Sequence, residues 1–169
     1  MPALTLTPSV YHGTRRQGDF SWMLGQDAWS RSLFVYNDNE SQSGVYLDQV
    51  DAGTVDPASS ACQAGAGNGA IRPYQCLTPP RAAGVPTGPG WADLDDGKAA
   101  IDRALAHVRT LLETGDYDEV IYSAKSASEP GVLGSGTFSP PKDVLTYIPN
   151  ELKRIVDEVN AIRDRSSLG

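Results

Sequence analysis

The sequence predicts an α/β domain in three layers, with a central, largely parallel or mixed sheet flanked by helices. Three observations carry this. Helical and strand patterns alternate along the chain. The strand candidates are unbroken apolar runs, Leu33-Phe34-Val35-Tyr36 and Val120-Ile121-Tyr122, as expected of strands covered on both faces. The stretch 97–114 carries a helical stripe of Ile101, Leu105, Val108 and Leu112 at spacings of four, three and four. With 169 residues, 40% of them hydrophobic, the chain is long enough for one sizeable core and too short for two full domains, so residues 1–169 read as a single domain.

Each element follows in order. Residues 4–10 alternate weakly and suggest a first strand that Pro2 and Pro8 confine to an edge. Residues 19–30 suggest a short helix capped by Asp19, with Trp22, Met23 and Trp29 on its apolar face. A buried strand at 33–36 then stops at Asn37-Asp38-Asn39. From about 40 to 92 the chain reads as a long Gly/Pro-rich loop region. It holds a short strand at Val45–Leu47, a helical turn after Gly69 and a short strand at Ala82–Val85. The 97–114 helix has Asp95 and Asp96 for caps and Gly115 as a left-handed stop. A strand over 118–123 and a glycine-rich loop over 125–139 lead into a last helix from Pro140-Pro141. That helix carries a stripe of Val144, Ile148, Leu152, Ile155, Val159 and Ile162, and Pro149 is expected to kink or divide it.

Composition excludes several function classes. Fourteen Lys and Arg against 21 Asp and Glu leave a net charge of −7, which argues against nucleic acid and acidic membrane surfaces as partners. No apolar run reaches the length of a membrane span. The N-terminus has neither a basic n-region nor an apolar h-region, so the expected compartment is the cytoplasm. The two cysteines, Cys62 and Cys76, exclude a disulfide scaffold but allow one disulfide, and in that compartment they read as free thiols. Two histidines and two cysteines without clustered spacing imply no metal site.

In parallel sheets ligands bind beyond the carboxyl ends of the strands, so the residues after each strand carry the functional argument. Asn37, Asp38 and Asn39 offer donors and acceptors suited to ribose hydroxyls or a bound water. The structural alternative is a polar turn with Asn37 or Asn39 in left-handed geometry. Gly65, Ala66, Gly67, Asn68 and Gly69, followed by Ala70-Ile71-Arg72 as a helix start, suit a backbone cradle for a phosphate. A flexible surface loop explains the same glycines. The dinucleotide and Walker fingerprints do not fit. A second turn carries Thr87, Gly88, Gly90 and Trp91. There Thr87 suits a phosphate or ribose, and Trp91 either covers a base or belongs to the core. A third loop offers Gly134, Ser135 and Gly136, and Ser123, Lys125 and Glu129 sit at a strand end beside it. His107 falls on or near the solvent face of its helix.

Taken in order, an Asn-bearing strand end, a Gly-rich loop leading into Ala70-Ile71 and a Pro86-Thr87-Gly88 turn before a helix resemble a macro domain over about residues 33–165. The resemblance implies binding of ADP-ribose or a related nucleotide. The glycine loops (Gly65, Ala66, Gly67, Asn68, Gly69, Gly88, Gly90) would hold the diphosphate. Asn37 or Asn39 would take the distal ribose, and Asn39 or Asp38 would orient water if the ligand is hydrolysed. The resemblance implies no resident cofactor. Val10-Tyr11-His12-Gly13-Thr14 is in turn similar to the His-Gly-Thr strand of ADP-ribosyltransferases of the poly(ADP-ribose) polymerase type, with Gly44-Val45-Tyr46-Leu47 as the Tyr-bearing segment. That similarity implies NAD as substrate and His12, Thr14 and Tyr46 as site residues, but no Glu on a C-terminal strand completes it. A non-enzymatic interaction domain is the third reading.

Overall fold

The computed structural model describes residues 1–168. Its strands are β1 (Thr5–Ser9), β2 (Ser32–Asp38), β3 (Ala82–Pro86), β4 (Glu119–Ser126) and β5 (Glu129–Leu133). Its helices are α1 (Phe20–Met23), α2 (Glu40–Asp51), α3 (Leu94–Glu113) and α4 (Lys142–Leu168). The sheet order is β1-β4-β2-β3, and every pairing on this path is parallel. β5 folds back antiparallel onto the far end of β4.

β2 lies inside the sheet and alternates between two apolar layers. Leu33 and Val35 face the larger core under α2, α3 and α4, whereas Phe34 and Tyr36 face a smaller core with Phe20, Met23, Leu24 and Ile71. This two-sided burial is why the strand reads as a continuous apolar run. β1 is an edge strand, as Pro8 requires.

Several expectations are corrected. The 19–30 stretch is one turn of helix followed by a 3₁₀ turn at Asp27–Trp29, and Asp19 gives no side-chain cap to α1 because its carboxylate accepts the Arg15 N–H instead. The region after β2 opens with a three-turn helix rather than a loop, so Val45–Leu47 is helical. Ser43, Tyr46 and Leu47 form its buried side, and Asn39 caps it by accepting the Gln42 N–H at 2.8 Å. Asn37 and Asn39 do not adopt left-handed geometry. Asn37 continues β2, Asn39 has φ −85°, and Arg15 is the non-glycine residue with positive φ among the described residues. Ala70–Arg72 start no α-helix but lie inside a 3₁₀ stretch, Gly67–Cys76.

The loop expected at 125–139 is shortened by the β4–β5 hairpin. Pro149 does not divide α4, which runs unbroken from Lys142 to Leu168. Val144 and Ile148 before the proline and Leu152, Ile155, Val156 and Val159 after it are all buried, so packing holds both halves where the missing N–H would otherwise break the helix. Cys62 and Cys76 are not free thiols but a disulfide, which closes a loop around residues 63–75. No helix among the described residues is long and apolar enough to cross a membrane.

Gly115, by contrast, takes φ +83° just past α3 and gives the left-handed stop that its position predicts. The strands at 33–36, 82–85 and 118–123 are present, each slightly longer than expected.

Candidate functional site

The parallel strands β2, β3 and β4 point their carboxyl ends at one edge of the molecule, and three glycine-bearing segments meet there. The Asp38 carboxylate lies at the centre, with its side chain fully buried. It accepts from Arg72 Nη2 at 2.6 Å and Nε at 3.2 Å, from the Tyr36 hydroxyl at 3.2 Å and from the Asn39 N–H at 2.9 Å. Hydrogen bonding to Asp38 raises the Arg72 pKa above that of an ordinary guanidinium, and burial, with Asp38 beside it, pushes the Tyr36 phenol well above its usual range. Arg72 therefore stays charged, and Tyr36 stays a donor.

This pair explains the first glycine loop. A Cβ built on Gly65 would lie 2.7 Å from Arg72 Nη1, and one on Gly69 would lie 3.0 Å from Nη2. These two glycines make room for the guanidinium. Arg72 Nη1 also donates to the Gln63 carbonyl, and the Cys62–Cys76 disulfide holds the base of the loop. Gly67, at the exposed tip with φ +57°, needs glycine for its conformation and reaches Thr137 of the third segment. Ala66 is exposed, and Asn68 is half-buried.

The second segment follows β3. The Thr87 N–H donates to the Asp38 carbonyl, and the Glu40 N–H donates to the Gly88 carbonyl, which ties this turn to the end of β2. Gly88 is buried with φ +132°, and a Cβ there would meet the Phe138 ring at 3.2 Å. Gly90 is exposed with φ +85°. Trp91 is half-buried; its Nε1 donates to Glu40 and its ring lies so close to Gly97 that a Cβ there would be 2.4 Å away. Trp91 thus packs between α2 and the first turn of α3 and does not stand over the loops as a free face.

The third segment follows β5. Asn37 Nδ2 donates to the Gly134 carbonyl at 2.6 Å, and the Gly134 N–H donates to the Ser123 carbonyl. Ser135 and Gly136 are exposed beyond it. The structure therefore gathers Asn37, Asp38, Asn39, Gly65, Gly67, Gly69, Arg72, Thr87, Gly88 and Gly134 at one end of the sheet.

The chemical consequences are specific. Asp38 has neither exposure nor free lone-pair capacity, so it positions its neighbours and is not available as a base. Asn39 uses its oxygen on α2, which leaves its Nδ2 without a partner among the described residues. Gln42 Oε1, in the first turn of α2, is buried with no donor. Tyr36, Gly84 and Gln42 belong to this end and were not candidates. A Cβ on Gly84 would touch Tyr36 and Asp38 at 3.0–3.1 Å, a contact that strand register shows and loop motifs do not.

The transferase-like residues are not assembled. Tyr46 is buried on α2, donating to the Gln75 carbonyl and 3.0 Å from it, with its pKa pushed up by burial to about 12. His12 and Thr14 are exposed in the loop after β1, at the opposite edge of the sheet. His107 is half-buried against the Tyr46 hydroxyl at 3.3 Å rather than solvent-facing, and burial lowers its pKa.

Two hollows lie elsewhere. One of about 360 Å³ between α3 and α4 is lined by ion-paired Lys98, Asp102, Arg109, Glu151 and Arg154. The other, about 260 Å³, lies beside Tyr46, Gln75 and His107. No group of three or more His, Cys, Asp or Glu side chains is arranged to hold a metal among the described residues. Comparison of the chain with protein-family models, curated proteins and solved structures finds no match.

Proposed function

We propose that the protein binds ADP-ribose, or a nucleotide containing it, across the carboxyl ends of β2, β3 and β4. The observation that carries this is the convergence of three glycine-bearing segments on the buried Asp38–Arg72 pair. The pair neutralises itself. An anionic ligand on this acidic protein would then be held by the backbone N–H groups of the Gly67 and Gly88 segments. Asn39 Nδ2 and Gln42 Oε1 supply an unpaired donor and an unpaired acceptor of the kind a ribose needs.

The reading is of binding without turnover. The buried carboxylate is saturated, and no nucleophile stands next to a base at this end. Titration calorimetry with ADP-ribose tests it. Saturable binding that is lost in Gly67→Val is the expected result. Absence of heat at millimolar ligand would overturn it.

A further inference from the structure

Ser9, the last residue of β1, is 6% exposed, yet its Oγ has no hydrogen-bond partner. Strand alternation shows where it points. Leu4 and Leu6 face the layer of α3 and α4, so Thr5, Thr7 and Ser9 face the layer of α1. Register then places Ser9 beside Ser123 on β4, with Tyr36 and Gly84 continuing the same row across β2 and β3. The preceding row is Thr7, Ile121, Phe34 and Ala82, whose last three residues belong to the apolar core under α1. One step nearer the carboxyl ends, the sheet face thus changes from apolar to hydroxyl-bearing or bare.

Ser123 is half-buried, and its hydroxyl is also without a partner among the described residues. A Cβ on Gly134 would stand 3.0 Å from that hydroxyl, so the glycine keeps the space beside it open.

The loop between β1 and α1 leaves the sheet directly after Ser9. Its neck is closed where Gly18 meets Val10: a Cβ on Gly18 would lie 2.0 Å from the Val10 carbonyl. Its tip carries exposed His12, Thr14, Arg15 and Arg16, and Arg15 is held at φ +55°. Neither guanidinium has a carboxylate partner among the described residues, in a chain of net charge −7. Most other cations of the chain are paired. A buried hydroxyl without a partner is a cost to the empty protein that a bound acceptor removes.

We propose that the ends of β1 and β4 form a second subsite, which takes a phosphate group. The Ser9 and Ser123 hydroxyls donate to it from the sheet, and Arg15 and Arg16 supply charge from the loop that follows Ser9. Hydroxyl donors and two guanidinium groups that no carboxylate pairs, Asp19 being engaged on the Arg15 backbone N–H, select an acceptor-rich anion over a neutral sugar. The inference rests on the functional reading above only in taking this end of the sheet as the ligand end.

The test is amide NMR on the full chain, titrated separately with inorganic phosphate and with ADP-ribose. Phosphate is expected to shift the amides of Ser9 to Arg16 and of Ser123 and Gly134 saturably. Ser9→Ala is expected to weaken phosphate by about tenfold, equivalent to about 1.4 kcal/mol, while raising the melting temperature of the empty protein by a few degrees. Arg15→Gln with Arg16→Gln, both exposed, gives the same loss without relying on a buried change. Phosphate that leaves these amides unmoved at tens of millimolar overturns the subsite, as does unchanged affinity in both variants. ADP-ribose acting on the Gly67 and Gly88 amides in that case keeps the nucleotide reading alone. Phosphate acting at Ser9 while ADP-ribose moves nothing at Gly67 keeps the subsite and sinks the nucleotide reading.

Discussion

Replacing Arg72 by Met should destabilise the protein by about 3–5 kcal/mol, because it leaves a buried carboxylate uncompensated. Asp38 accepts four hydrogen bonds, two of them from Arg72, and its side chain has no exposure. Hydrogen bonds to charged groups contribute about 1.5–3 kcal/mol each, so losing two from a group that water cannot reach gives the same range. For a domain of ordinary stability, about 5–15 kcal/mol, that is a large share. The double variant Arg72→Met, Asp38→Leu removes both charges and should recover most of the loss, because a buried pair replaced by apolar groups is close to neutral. Urea unfolding of the wild type, both single variants and the double variant gives the cycle. A loss below about 1 kcal/mol in Arg72→Met would show that water reaches Asp38 and that the pair is not the centre of this end of the fold.

Gly65→Ala should lower the unfolding midpoint, since its Cβ falls 2.7 Å from a guanidinium pinned by three acceptors; an unchanged midpoint would mean the loop shifts freely. Gly67→Val and Gly115→Val should each cost about 1–2 kcal/mol, because both put a β-branched residue in the left-handed region, but Gly67→Val should abolish nucleotide binding whereas Gly115→Val should leave it intact. Reducing Cys62–Cys76 with a dithiol should cost about 3 kcal/mol in a denaturant titration, as expected for a loop of this length. His107, whose folded pKa lies below its unfolded value near 6.5, contributes full stability above about pH 6.5 and loses it as pH falls through the folded value. Unfolding between pH 7 and 5 should show this loss, and His107→Gln should flatten it.

The fold was legible where one physical signal dominated. α3 has a complete apolar stripe and a glycine stop, and β2 and β4 are buried on both faces, so periodicity and run length sufficed. α2 was hidden because its buried side spends one position on Ser43, and Gly44 weakens it from within. What starts it is the Asn39 cap, and the same asparagine was read as a ligand group. Pro149 was over-read for the opposite reason. The local rule fails in a helix that packing holds on both sides of the proline. The cysteines were read from compartment alone, whereas the pairing depends on how the 3₁₀ stretch folds back on Ala61, a long-range contact with no local signature.

The glycine loop shows why a backbone pattern is legible in sequence while the group it accommodates is not. Alternating glycines at 65, 67 and 69 were read as three openings toward a phosphate. Two of them instead open toward Arg72, a residue of the same chain, and one projects from the tip. A guanidinium and a phosphate impose the same demand on a backbone, which is close approach without a side chain, so sequence does not separate them. The partner that distinguishes the two cases is Asp38, and it arrives from another strand. Because Asp38 consumes the cation buried at this end, the proposed anion would have to be met there by backbone amides and hydroxyls, with long-range charge left to the loop after β1. The buried pair therefore acts on function through position. It fixes the first glycine segment against the end of β2, from which Asn37 reaches the third segment and Thr87 and Gly88 tie in the second.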